Sequence, residues 1–118
     1  MVLKPPSRVE LLRGTLDLLI LRTLLPGPSH GHAIAKHIQR PSEDLLQVET
    51  GSLYPALHRL EGKGWIAASW DLSEKSKRAR FYRLTPLGRK QLAAERSSWD
   101  TSSRAMGLIL NPVDQEAQ

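Results

Sequence analysis

The chain has 118 residues, no cysteine and a formal net charge of +5. That length allows one domain with a modest core and little room for an internal catalytic cleft, and the lack of cysteine excludes disulfides, thiolate metal sites and thiol nucleophiles. A sequence pI near 10.0 favours a polyanionic partner; no leader peptide is visible and the longest apolar run, Leu18–Leu21, is far too short to cross a bilayer, so no membrane role and a reducing cytoplasmic location are expected.

Residues 1–9 carry Pro5-Pro6 and read as a flexible arm. Thr15–Leu25 (TLDLLILRTLL) is leucine-rich with few polar breaks, a helix that needs cover on more than one side, and Pro26-Gly27-Pro28 ends it. Ser29 is placed to cap a second helix through about Arg40, with Gly31, Ile34, Ala35 and Ile38 inward and Pro41-Ser42 as its stop. Residues 43–49 form a connection with room for one short turn.

A third helix is predicted from about Ser52 to Lys63. Leu53, Ala56, Leu57 and Leu60 fall at i, i+3, i+4 and i+7, the core-facing pattern, and the opposite face collects Ser52, Tyr54, Pro55, His58 and Arg59. Pro55 places the helix start near Thr50 or Ser52, and Gly64 supplies the stop. Trp65–Trp70 and Arg80–Leu84 then read as strands joined by the polar loop DLSEKSKRA. Thr85-Pro86 opens a last helix that runs to about Leu110, where Asn111-Pro112 stops it; residues 111–118 are polar and expected to fray.

The order of helix, helix, helix, two-stranded hairpin and long helix gives a mainly α fold with a small β-hairpin: a winged helix-turn-helix over residues 10–85 and a C-terminal dimerisation helix over 86–110. Such a module lays its third helix in the major groove of DNA and its wing beside it. The charge supports this placement. Seven basic residues lie between Lys75 and Lys90, and no acidic residue falls between Glu74 and Glu95.

On the third helix no carboxylate interrupts the outward face before Glu61. Ser52 and Tyr54 are placed to donate to phosphates, and His58 and Arg59 to reach base edges, arginine to guanine being the commonest direct contact. Lys63 extends that face. Lys75, Lys77, Arg78 and Arg80 in the wing suit phosphates or the minor groove, whereas Arg83 and Arg89 read equally well as structural. His32 and Lys36, one turn apart on the second helix, suit the DNA backbone.

His30, His32 and His37 invite a metal reading, but His30 and His37 are about two turns apart, too far for one ion, and no carboxylate stands at ligand spacing. No metal or cofactor is expected. Ser29-His30 and Ser52 with His58 lack an orienting acid, and there is no glycine-rich phosphate loop, so the chain is not expected to be an enzyme. Leu92, Trp99 and Met106 recur every seven residues, with Leu110 four further on. Together with Leu16 and Leu19 of the first helix they are assigned to a homodimer interface, where paired Trp99 rings could also wall a pocket for a planar aromatic ligand.

Gly14–Leu24 (GTLDLLILRTL), His30–Ile38 (HGHAIAKHI), Gly51–Ile66 (GSLYPALHRLEGKGWI) and Arg80–Leu92 (RFYRLTPLGRKQL) closely resemble the PadR family of bacterial transcriptional regulators, over about residues 10–110. The length resembles the short subgroup with one C-terminal helix. The resemblance implies a homodimeric winged-helix repressor that binds an inverted-repeat operator in double-stranded DNA, at its own or a neighbouring promoter, and releases it when a small molecule binds. It maps DNA contact onto Ser52, Tyr54, Pro55, the outward positions of the third helix and the basic wing residues. Trp99 falls at an aromatic position that lines a multidrug pocket in some short members. Two departures stand out: His32 replaces a common tyrosine, and Arg96 and Ser103 share the side of Trp99, which implies a pocket that is polar or absent. The competing readings are a protein-interaction winged helix without specific DNA binding and a ligand-binding dimer with a secondary DNA role.

Overall fold

A computed structural model describes residues 9–10, 13–73 and 75–112. Its elements are β1 (Val9–Glu10), α1 (Arg13–Thr23), β2 (Ser29–His30), α2 (Gly31–Gln39), β3 (Leu46–Gln47), α3 (Thr50–Gly62), β4 (Ile66–Leu72), β5 (Arg78–Leu84) and α4 (Pro86–Leu110). The expected class is observed: four helices, with a small antiparallel sheet forming the wing. Residues 1–8 of the expected arm and 113–118 of the expected tail lie outside the described residues.

The core forms where the apolar faces of the helices converge. Leu16, Ile20, Leu21 and Leu24 of α1 meet Ile34 and Ile38 of α2, and the four leucine and alanine positions 53, 56, 57 and 60 of α3 are buried as their spacing predicts. Leu18, Leu19 and Leu25 pack partly against this cluster, so α1 is covered on several sides. Because Leu16 is only 4% exposed, its expected place in a dimer seam is corrected: it belongs to the core of a single chain.

Helix ends follow local chemistry. At the end of α3, Gly64 adopts φ +76, while its N–H bonds to the Glu61 carbonyl and that of Trp65 to the Leu60 carbonyl. This is a left-handed glycine closure, which satisfies carbonyls the last turn would otherwise leave open. At the start of α2 the expected cap changes identity. His30, not Ser29, accepts the Ala33 N–H through Nδ1 at 3.3 Å. Ser29 and His30 instead pair with Tyr82 and Phe81, adding a third strand to the expected hairpin in the order β2-β5-β4.

The hairpin is also longer than expected. Strands β4 and β5 stay paired out to Leu72 and Arg78, so the turn is confined to residues 73–77, where Ser73 accepts the Ser76 N–H and donates to the Lys77 carbonyl. A second addition is the parallel pair β1 and β3, which joins Val9, expected in the arm, to Leu46.

Thr85 caps α4: its hydroxyl accepts the Gly88 N–H and lies 3.0 Å from the Trp65 carbonyl oxygen. A β-carbon on Gly88 would stand 2.0 Å from that same oxygen, so only glycine lets α4 start this close to β4. Leu92, 7% exposed, closes the core from this first part of the helix. It too is therefore corrected from the dimer seam to the core. Beyond it no residue from Ala93 to Leu110 is buried.

Candidate nucleic-acid interface

The outward face of α3 consists of Thr50, Gly51, Ser52, Tyr54, Pro55, His58, Gly62 and Lys63, all exposed. Pro55 is the sixth residue of the helix rather than part of its first turn. It removes the bond that residue 55 would give to the Gly51 carbonyl, and this is tolerable because both residues face solvent. The start of α3 has no side-chain cap from Glu49; the N–H groups of Ser52 and Leu53 bond to the Glu49 carbonyl at 3.0 and 2.9 Å, and those of Thr50 and Gly51 have no such bond.

Tyr54 leans across the start of α2. A β-carbon at Gly31 would lie 2.7 Å from its hydroxyl oxygen, so the missing side chain of Gly31 is what seats the Tyr54 ring. Tyr82 of β5 lies behind it and is buried. Burial holds the Tyr82 hydroxyl above its usual pKa; Arg80 pulls it down, and Glu61 and Tyr54 push it up.

Arg59 departs from its expected position. It faces inward, and its Nη2 pairs with Oδ1 of Asp17 on α1 at 2.5 Å, with the two side chains 20% and 9% exposed. The physical reason is its neighbourhood: residues 56, 57 and 60 are core, so a long side chain between them is drawn to the one buried acid in reach. The signal was Asp17 itself, an acid within a leucine run, which demands a cation. Arg59 therefore leaves the set of base-reading candidates.

The wing supplies cations unequally. Lys75 and Lys77 are exposed at the turn, and Arg78 lies 5.0 Å over the Trp70 ring with its charge open to solvent. Arg80 does not conform to the expected phosphate role: its guanidinium binds both oxygens of Glu61 at 2.7 and 3.0 Å. Both bonds come from Nη2, and this ion pair ties the wing to the last turn of α3 and offsets both charges. Lys63 stands 4.6 Å over Trp65, at the junction of helix and wing. Arg83 and Arg89 are exposed. His32 and Lys36 are exposed on α2, bordering the space between that helix and the wing.

Trp99, 48% exposed, borders a cleft of about 360 Å³ with Gly14, Thr15 and Leu18 of α1 and Glu95, Ser98 and Ser102 of α4. The cleft is polar along one wall; neither Arg96 nor Ser103 lines it. Leu19 is half-buried, while Met106 and Leu110 are exposed. Among the described residues no group of three or more His, Asp or Glu is placed to hold a metal ion, and no helix is long and apolar enough to cross a membrane.

Residues 20–94 match the family model of the transcriptional regulator PadR-like family. A transcriptional regulator of Mycobacterium tuberculosis is 32% identical over 95 residues, covering 80% of this chain and 85% of its own length. Among solved structures, a transcriptional regulator from Clostridium thermocellum superimposes with a TM-score of 0.73 at 33% identity, covering 80% of this chain and 92% of that one. A PadR family transcriptional regulator from Eggerthella lenta gives a TM-score of 0.72 at 32% identity, covering 86% of each.

Proposed function

The chain belongs to the PadR-like family of transcriptional regulators, which are not enzymes, and from that premise we propose that it is a cytoplasmic homodimeric repressor of its own or a neighbouring promoter. The observation that carries this reading is the exposed, acid-free face of α3 from Ser52 to His58, flanked by the open cations Lys75, Lys77 and Arg78 of the wing. Residues 10–85 act as the DNA-binding unit and 86–110 as the dimerisation helix.

In this mechanism the start of α3 enters the major groove. Ser52 and Tyr54 donate to phosphate oxygens, joined by the N–H groups of Thr50 and Gly51 at the helix start. Pro55 packs its ring against the groove wall, and His58 is the side chain left to read a base edge. Lys63, Lys75, Lys77 and Arg78 hold the backbone on either side, with His32 and Lys36 at the start of α2. Two copies related by a two-fold axis present their α3 helices to successive major grooves. The operator is then an inverted repeat with half-sites about 34–36 Å apart, and its occupation blocks the promoter.

The uncovered part of α4 provides the dimer contact through Trp99, Met106 and Leu110, with Leu19 of α1. A planar aromatic effector in the Trp99 cleft would alter the spacing of the two α3 helices and release DNA. The hydroxyls and carboxylate there favour an effector with polar groups at its rim.

Anisotropy binding to its own promoter fragment and to a scrambled duplex, across a salt series, tests the reading. The expected result is a strong preference for the promoter with a steep salt slope. His58→Ala reduces the preference, by about 1–3 kcal/mol if it reads a base, while Lys77→Ala weakens both duplexes alike and reduces the salt slope by about one. No binding at low salt would overturn it in favour of a winged helix that docks a protein.

A further inference from the structure

A groove of about 660 Å³ lies where the C-terminal ends of α1 and α2 meet β3, and it shares no lining residue with the Trp99 cleft. Leu19, Pro26, Ile38, Pro41 and Leu46 form an apolar wall, and no Phe, Tyr or Trp stands among the described lining residues. Arg22, His37 and Arg40 are its basic members. Both arginines are exposed, and neither makes an ion pair among the described residues. The two hydroxyls are already engaged. Thr23 donates to the Ile20 carbonyl at 2.8 Å; Ser42 donates to the Gln39 carbonyl at 2.7 Å and accepts the Leu46 N–H.

We infer that this groove binds an aliphatic carboxylate, an acyl chain laid along the apolar wall with its headgroup on Arg22 and Arg40. The volume suits such a ligand, since small-molecule sites hold about 300–1,000 Å³. Proline rings and branched aliphatic side chains make an uneven wall, which a flexible chain follows more closely than a flat ring does. The site stands apart from the DNA-binding reading, yet it borders its machinery: Leu46 belongs to β3, which leads directly into α3.

Charge selects the headgroup. Arg22 lies in the last turn of α1 and Arg40 is the C-cap of α2, where each offsets a helix end equivalent to about half a negative charge. Two guanidiniums against two helix ends leave roughly one positive charge, which a monoanion matches. The guanidinium fork also takes both oxygens of a carboxylate, whereas a neutral alcohol gains only the wall. Among the described residues no carboxylate lines the groove. Glu43 and Asp44 are exposed in the turn before Leu46 and stand outside the lining, and Glu10 pairs in register with Gln47, which is also outside it. Residues 1–8 and 11–12, outside the described residues, include no Asp or Glu.

Calorimetric titration of the full chain with octanoate, decanoate and dodecanoate tests this. Binding should tighten about two- to fourfold per added methylene, and decanol should bind roughly tenfold more weakly than decanoate, or worse. Arg22→Gln combined with Arg40→Gln should bring decanoate down to the level of decanol. Leu46→Ser leaves the charges in place and should flatten the dependence on chain length. Methyl NMR locates the ligand: decanoate should shift Leu19, Ile38 and Leu46. Shifts confined to Leu18 would put it in the Trp99 cleft and overturn the site. So would undiminished decanoate binding in the glutamine variant, an unchanged length dependence in Leu46→Ser, or no saturable binding at all. Leu19 is shared with the dimer contact proposed above. If Met106→Asp binds decanoate and the wild-type chain does not, a second copy covers the groove and the ligand site is overturned.

Discussion

Arg59 of α3 and Asp17 of α1 join the two helices through a contact between side chains that are one-fifth exposed or less. The pair lies beneath the outward face of α3 and fixes that helix against α1. It is a brace for the candidate DNA-contacting surface, not a part of it. Arg59→Ala leaves Asp17 as an uncompensated charge at 6% exposure. It should lower stability by roughly 2–4 kcal/mol, somewhat below a fully enclosed pair because Arg59 keeps some solvent. The double change Asp17→Leu, Arg59→Met should recover most of the loss. Urea denaturation measures both. If Arg59→Ala kept full stability and lost only promoter preference, the inward placement would be wrong.

Gly31 and Tyr54 give a second expectation. A β-carbon on Gly31 meets the hydroxyl at 2.7 Å and Cε1 at 2.9 Å, yet Tyr54 is 47% exposed and free to swing outward. Gly31→Ala should therefore stay within about 1 kcal/mol of wild type, aided by the helix preference of alanine. Its cost falls on DNA affinity, because the hydroxyl leaves its place. In a Tyr54→Ala background the same substitution should cost no further affinity. An equal loss in both backgrounds would show that Gly31 acts without Tyr54.

These pairs also mark how far the sequence was legible. The spacing of Leu53, Ala56, Leu57 and Leu60 located the buried face of α3 because helical periodicity is local. Arg59 was misplaced because its partner lies 42 residues away, and no pattern within α3 announces it. The wing strands were read short, since Asp71 and Ala79 have little strand preference and stay in register only through pairing with each other. Ser29 and His30 became a strand for the same reason, through β5 rather than through their own residues. The spacing of Leu92, Trp99 and Met106 reads as one stripe. It is one stripe, but the domain ends beneath it, so Leu92 is inside and the other two are outside.

Tyr82 yields a pH dependence. Burial raises its pKa in the folded chain above the usual value of 10.0. Above about pH 10 the unfolded chain therefore releases this proton before the folded chain does. The contribution is fully present below about pH 10 and is lost as the pH rises through the higher folded value. Tyr82→Phe should show a shallower alkaline decline than wild type when denaturation midpoints are compared at about pH 9 and about pH 11. Equal declines would show that this hydroxyl is as free to ionise in the folded chain as in the unfolded one.

The two halves of α4 should respond oppositely to substitution. Leu92 is core, so Leu92→Ala should destabilise the protomer by about 2–4 kcal/mol while leaving the association state at high concentration unchanged. Trp99, Met106 and Leu110 are 48%, 57% and 73% exposed, on a stretch of α4 in which no residue is buried. Met106→Asp or Leu110→Asp places a charge where an apolar contact between copies would form, so light scattering should show a monomer with helix content preserved at high concentration. A monomer retains one α3 and one wing, and should bind a half-site as the wild type does while losing the extra affinity for the full inverted repeat. If Met106→Asp remains dimeric, the seam lies elsewhere. If it is monomeric yet still prefers the full repeat over a half-site, the two-fold reading of the operator fails even though the winged helix stands.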